Sequence, residues 1–352
     1  MKTHSKKTNS RRILSLVLVT LVVMASFVSL LSSSASAQTN FTRSGSAGAQ
    51  FLKIGVGARY LALGEASVAA SGDAFSLYWN PAALTEIDGQ QLAFTHVNWI
   101  LDVSLNYAAY AKRIEDFGVL AVGVTALTVP EQEITTVEEP NGVGRNYSAS
   151  SYAIQIGFAR ELTHRFSFGA GVKYIYESIH LENATGFAFD FGTMLHTGLR
   201  SLRLGMNISN LGGEMRFDGP DLGIQYLDNT GDGSKIPVDS RIAVESYDLP
   251  LTFRVGAAYD FDLSFDSRFT ILSEMKHPND NDQQLSFGFE YSNREKFFLR
   301  SGYKFNYAEE GLTLGAGLIA PFGNDNGLVI DYAWSDFGRL NSVHRFSAVI
   351  DF

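Results

Sequence analysis

The sequence predicts an all-β fold, a transmembrane antiparallel β-barrel of about 14 strands with an N-terminal hatch or plug segment. Three observations lead there. Apolar and polar residues alternate with period two from about residue 90 to the end. Charged residues make up only 18% of the chain, against about 25% in a soluble domain. Gly and aromatics are abundant, with 33 Gly, 26 Phe, 15 Tyr and 3 Trp. Other classes drop out. With no Cys there is no disulfide scaffold and no thiolate metal site. The one long apolar run is N-terminal, so a polytopic helical membrane protein is excluded. A net charge of −9 argues against nucleic acid as a partner.

The chain opens with Lys2, Lys6, Lys7, Arg11 and Arg12, an apolar run from Ile13 to Leu31, and Ala35-Ser36-Ala37. A cationic start, an apolar centre and an Ala-x-Ala site make a secretory signal peptide over 1–37, cleaved after Ala37. Its removal takes five cations and no acid, so the exported chain is more acidic still.

Residues 38–90 are Gly-rich and irregular, with helical character around Leu61–Ala70. They match no spanning strand and are expected to sit inside or beside the barrel as a hatch.

The barrel is expected over 91–352. In Arg165–Glu177, Phe166, Phe168, Val172, Tyr174 and Tyr176 fall on one face, and Ser167, Gly169, Gly171, Lys173 and Glu177 on the other. Phe187, Phe189 and Phe191 likewise oppose Asp190 and Gly192, and Phe253 and Val255 oppose Arg254. Fourteen such segments follow in order: 91–99, 104–112, 117–128, 149–160, 165–178, 184–195, 199–208, 250–260, 266–276, 283–292, 296–305, 311–319, 327–334 and 342–352. Most have the length of a tilted spanning strand. With a periplasmic N-terminus every second connection is short, as at Arg113–Asp116 and Asn293–Glu295. The long connections, 129–148 and 209–249, then fall outside, the asymmetry of outer-membrane barrels. A soluble sandwich would expose its polar face; here the greasy face is nearly continuous and suits lipid. The polar face suits a lumen, with Lys173, Asp190, Arg254, Arg300 and Lys304 as candidate lumen charges. Their mixed signs suit structural pairing or a polar cavity, and no single-sign ring points to ion selectivity.

The most specific stretch is in the hatch. It reads Phe51-Leu52-Lys53-Ile54-Gly55-Val56-Gly57-Ala58-Arg59-Tyr60-Leu61-Ala62-Leu63-Gly64-Glu65, then Gly72-Asp73, then Asn80-Pro81-Ala82-Ala83-Leu84. It resembles the N-terminal region of the PorV/PorQ family of outer-membrane proteins. That family is itself similar to the FadL long-chain fatty-acid transporters, which share an Asn-Pro-Ala-Gly-Leu element; here Ala83 stands where Gly is usual. The chain also ends on alternating Phe346, Ala348, Ile350 and Phe352, which resembles the assembly signal of outer-membrane barrels.

The resemblance implies an outer-membrane protein of a Gram-negative bacterium, in contact with lipid. Its role would be in type IX secretion, with secretion-system subunits and exported proteins as partners. The alternative it implies is FadL-like transport of fatty acids or other hydrophobic small molecules. The candidate hatch residues, structural or ligand-facing, are Gly55, Gly57, Arg59, Gly64, Asp73, Asn80 and Pro81.

Catalytic chemistry is not expected. The sequence holds no nucleophile elbow, zinc-protease motif, Walker loop or dinucleotide fingerprint, and its His residues are scattered over strand ends and turns. No cofactor is expected. Asp228, Asp232 and Asp239 approximate a calcium-loop spacing, but flanking helices are absent and Asp, Asn and Gly furnish any external turn.

Overall fold

The computed structural model describes residues 45–229, 235–322 and 326–352. The expected signal peptide lies outside the described residues.

Among these residues, fourteen strands close into one antiparallel barrel. They are β1 (Gln90–Asn98), β2 (Ser104–Ile114), β3 (Gly118–Glu133), β4 (Asn146–Thr163), β5 (Phe166–Ile179), β6 (Glu182–His196) and β7 (Arg203–Gly212), then β10 (Thr252–Ser264), β11 (Ser267–Pro278), β12 (Gln284–Asn293), β13 (Phe297–Phe305), β14 (Leu312–Phe322), β15 (Asn326–Asp336) and β16 (Ser342–Asp351). The two left over, β8 (Gly223–Asn229) and β9 (Lys235–Arg241), form a separate hairpin in the connection between β7 and β10. Each barrel strand pairs with its neighbour in sequence, and β1 closes on β16 from Gln91↔Asp351 to Asn98↔His344. Closure leaves no free sheet edge in the wall, as lipid requires.

The two faces are sorted in the reverse of a soluble protein. Phe187 is 60% exposed, while Asp190 on the same strand is fully buried. Val172 and Tyr174 are exposed on β5 and Lys173 between them is buried; Phe253 is exposed beside buried Arg254. The exposed face is apolar because its solvent is hydrocarbon, and the buried polar face is kept by pairing. One end carries the short turns, such as 115–117, 164–165 and 265–266, with the start of β1 and the end of β16. The other end carries 134–145 and 213–251. The orientation expected from outer-membrane asymmetry, periplasmic for the first end and external for the second, gives the two ends their names.

The lumen is filled by residues 47–87. Short helical turns at Ala58–Ala62 and Ser76–Trp79 and a 3₁₀ turn at Pro81–Glu86 replace the single helical stretch suggested by the sequence. Tyr60, Phe75, Leu77 and Trp79 are buried and pack against the wall residues Tyr107 and Leu105. Trp79 donates to the Val56 carbonyl at 2.8 Å and its ring lies 5.9 Å from that of Tyr60.

Wall glycines let the hatch sit this close. A Cβ at Gly302 would stand 2.2 Å from the Gly64 nitrogen; at Gly205, 2.1 Å from the Val68 carbonyl oxygen; at Gly169, 2.3 Å from the Pro81 carbonyl carbon. Hatch backbone and wall backbone are thus in direct contact, which no other residue would allow.

At the external end, the connection between β7 and β10 folds back over the barrel. Met215 and Tyr247 bridge to each other, Gly48 donates to the Asp248 carbonyl at 2.9 Å, and Met215 and Leu249 pack with Phe51 and Leu52.

Candidate functional site

The candidate hatch residues are structural partners of one another and of the wall. Asn80 takes an extended conformation and caps the following turn: its Oδ1 accepts from Ala82 N at 3.1 Å, and Pro81 occupies the first position. Its amide donates to the carbonyls of Val68 at 2.6 Å and Thr193 at 3.1 Å, tying turn, hatch and β6 together. Gly64 has φ +66° and lies against β13; Gly57 has φ +79° beside Phe75. Gly55 lies under Trp79. Arg59 reaches Glu290 at 3.3 Å and donates to the Ser71 carbonyl. Asp73 Oδ1 accepts from the Tyr60 hydroxyl and from Phe75 N, both at 2.9 Å. Burial pushes the Asp73 carboxyl up to about 6, against the lowering pull of Arg59 and these hydrogen bonds.

The five candidate lumen charges are all buried, and each is paired. Lys173 pairs with Asp190 at 2.7 Å and donates to Asn210. Asp190 sits where the β6–β7 register shifts, and its Oδ1 accepts from Asn210 N, so a side chain replaces the broken ladder. Arg300 bridges Glu290 at 2.7 Å and Asp331 at 2.5 Å. Arg254 pairs with Glu274 at 2.8 Å and lies 5.0 Å over the Trp79 ring. Glu274 also accepts from the backbone N–H of Ser67 and Val68. Lys304 holds both Glu65, at 2.7 Å, and Glu310. Burial would raise the Glu65 carboxyl, but Lys304, Lys276 and Arg254 hold it down to about 2.

Above this last cluster a cavity of about 560 Å³ lies among the external connections. Gln50, Phe51, Lys53, Ile54, Gly55 and Glu65 line its inner side; Trp99, Ile100, Phe337 and Leu340 form an aromatic and aliphatic side; Lys276, Gln284, Tyr307 and Glu310 are among the remaining lining residues. Behind Trp99 and Phe337 lies Arg345, 5.3 Å and 5.8 Å from their ring centroids and bonded to Ser335 Oγ. Of the cavity residues the sequence singles out Gly55 and, within the hatch motif, Phe51, Lys53, Ile54 and Glu65; it does not single out Lys276, Gln284, Tyr307 or Glu310, nor Arg345 behind the aromatic side. Lys276 shares a strand face with Glu274, and Arg345 opposes Phe346, so the period-two pattern already placed both inward.

Among the described residues no group of three or more His, Asp or Glu side chains is placed to hold a metal. Of the calcium-loop candidates, Asp232 and the side chain of Asp228 lie outside the described residues; Asp239 is exposed on β9.

The barrel superposes on the toluene transporter TodX of Pseudomonas putida with a TM-score of 0.56 at 14% identity, over 85% of this chain and 99% of that one. The monoaromatic hydrocarbon channel CymD gives 0.54 at 12%, over 85% and 98%. The toluene transporter TbuX of Ralstonia pickettii gives 0.53 at 13%, over 84% and 97%. At such identities the likeness shows a common fold. No curated protein matches in sequence. Residues 36–278, however, match the family described as "Type IX secretion system protein PorV". A match over that much of the chain, with the hatch elements inside it, places this barrel in the PorV family.

Proposed function

We propose that this protein is an outer-membrane component of type IX secretion that receives exported protein on its external side. One observation carries the reading: the hatch fills the barrel, while the cavity of about 560 Å³ is built from the external connections and the top of the hatch. A receiver needs an outward recognition surface and no passage through its own lumen. The long connection 213–251, with its hairpin, adds external surface for a partner subunit or cargo. Deleting the gene should leave signal-bearing cargo unsecreted, and cargo should co-purify with the barrel. Normal secretion in the deletion strain overturns the reading.

A second reading is inward passage of hydrophobic solutes. It is favoured by the Trp99, Phe337 and Leu340 side of the cavity and by the transport roles named for TodX and TbuX. It requires the hatch to leave the wall. Because the chain has no Cys, a disulfide engineered between hatch and wall would be unambiguous. Uptake that persists with the hatch locked excludes passage by hatch movement.

A further inference from the structure

On β13 and β14 the outer face of the wall stays apolar to the external end, where Phe305 and Leu312 are exposed. On β4, β5 and β6 it carries exposed Tyr152, Tyr174 and Phe187. The seam where β1 lies between β16 and β2 differs. His96 and Asn98 on β1, Asn106 on β2 and His344 on β16 are exposed, while their strand neighbours Val97, Leu105 and Arg345 are buried, so all four point out of the barrel. Register joins them into one patch: His96 lies opposite Asn106, and Asn98 opposite His344.

The patch reaches into the apolar band. Gln90 and Phe352 pair at the periplasmic end; His96 is six residues up β1 from Gln90, and His344 eight residues up the last strand from Phe352. At about 3.3 Å per residue and a tilt near 40°, the two stand roughly 15 Å and 20 Å above that end, within an apolar band about 25 Å tall. Polar side chains at such a depth are costly and rarely idle. Their mutual bonds leave donors over. The ring nitrogens of His96 meet Asn106 Oδ1 at 2.8 Å and Asn98 Oδ1 at 2.9 Å. Both amide oxygens are thus held, and both amide nitrogens are without a protein partner among the described residues. His344 is held by the Tyr332 hydroxyl at 2.8 Å. Next below on the same outer face, Phe94 and Phe346 are exposed.

Amide donors above and apolar rings below match a lipid, with an oxygen-rich headgroup over its acyl chains. We propose that the seam of β16, β1 and β2 seats the sugar-phosphate headgroup of an outer-leaflet glycolipid. The headgroup is drawn down into the apolar band, so the leaflet is thinner here than beside β13 and β14. Asn98 and Asn106 donate to headgroup oxygens, His96 fixes both amides, and Phe94 and Phe346 meet the acyl chains. The patch spans three strands, about 10 Å across. A saccharide offers acceptors over that width, whereas a simple phospholipid concentrates them at one phosphate. The rings beneath the donors continue the lipid-facing surface, which favours a lipid over a neighbouring protein. The inference is independent of the receiver and transport readings and rests on this end of the barrel facing outward.

The test titrates rough lipopolysaccharide onto the full-length barrel in detergent, with phosphatidylglycerol as competitor. Lipopolysaccharide should bind, and a tenfold excess of phosphatidylglycerol should not displace it. Asn98→Leu with Asn106→Leu should weaken binding by about 10-fold or more, the worth of two hydrogen bonds. Ser301→Leu, on the outer face of β13, should leave it unchanged. Absence of binding to the unaltered barrel overturns the proposal, as does equal competition by phosphatidylglycerol. Equal affinity of the double variant and the unaltered barrel also overturns it, because the lipid then sits elsewhere. If in addition the double variant loses a protein that co-purifies with the unaltered barrel, the seam is a protein contact instead. The competition is read on the unaltered protein, so it decides the outcome even where the variant fails to fold.

Discussion

Gly302→Ala is the sharpest perturbation of the hatch. The added carbon would stand 2.2 Å from Gly64 N and 2.3 Å from the Leu63 carbonyl carbon, whereas ordinary contact begins near 3.4 Å. Both neighbours are backbone, so no rotamer change relieves the clash, and the hatch must retreat by roughly 1 Å from a close-packed wall. That retreat strains two bonds next to the contact, Thr313 Oγ1 to the Ala62 carbonyl at 2.9 Å and Lys304 to Glu65 at 2.7 Å. Overpacking costs about 1–3 kcal/mol and a weakened buried hydrogen bond about 1 more. The sum, about 2–4 kcal/mol, should lower the thermal midpoint by several degrees and expose the hatch to protease. The assay is the heat-induced mobility shift of the folded barrel on a gel, with limited proteolysis alongside. Gly311→Ala is the control, since its nearest neighbour would be 3.9 Å away. Equal midpoints for the two variants would refute the claim that hatch and wall meet backbone to backbone.

Three further outcomes follow from the buried polar groups. Asp73 titrates near 6 in the folded protein, above its ordinary 3.8. Its raised value means that the protonated form is favoured by folding, so this contribution is complete below about pH 4 and is lost as pH rises through 6. Asp73→Asn should therefore flatten the melting profile between pH 4 and 6 and raise the midpoint at pH 7.5; an unchanged profile refutes the assignment. Glu274→Gln strands Arg254 and should cost about 3–5 kcal/mol, whereas adding Arg254→Met, with the glutamine at position 274 still offering an oxygen to the Ser67 and Val68 N–H groups, should recover much of it, read by the same melting assay. Asn80→Ala removes a cap and two donated bonds, and should destabilise by about 1–3 kcal/mol and speed proteolysis within 58–87.

The barrel was legible because lipid imposes a strict alternation, and each of the fourteen segments carries it. Strand ends were less so. β3 continues to Glu133 and β4 starts at Asn146, beyond the expected 117–128 and 149–160, because Glu131, Gln132 and Glu133 stand above the lipid and lose the apolar face that marks a strand. The β8–β9 hairpin was hidden for a related reason. Its exposed Ile224, Tyr226 and Val238 lie in a segment with the composition of a turn, with Pro237 inside the second strand. The floor of the cavity was legible only in part. Alternation puts Lys276 and Arg345 inward, but which buried charge goes unpaired depends on contacts such as Lys304 to Glu65, separated by 239 residues, and no local pattern encodes these.

The energetics of the hatch separate the two functional readings. Opening a passage would part Lys53 from Asp280, Arg59 from Glu290 and Glu65 from Lys304, and would strip two backbone donors, Ser67 and Val68, from Glu274. Parting a buried pair leaves each charge uncompensated, at about 3–5 kcal/mol a pair. Water entering the opened lumen would offset part of this, but the hatch would also have to lift Tyr60, Phe75 and Trp79 off the wall. A solute entering the aromatic side of the cavity gains contacts with Trp99 and Phe337 and reaches these bonds only through Lys53 and Glu65. Its binding energy therefore has little leverage on the hatch, since a ligand shifts an equilibrium only by its differential affinity for the two states. A partner bound on the external connections needs no such shift. Under the receiver reading the closed hatch is the working form, and the glycine-lined wall holds the floor of the cavity at a fixed depth.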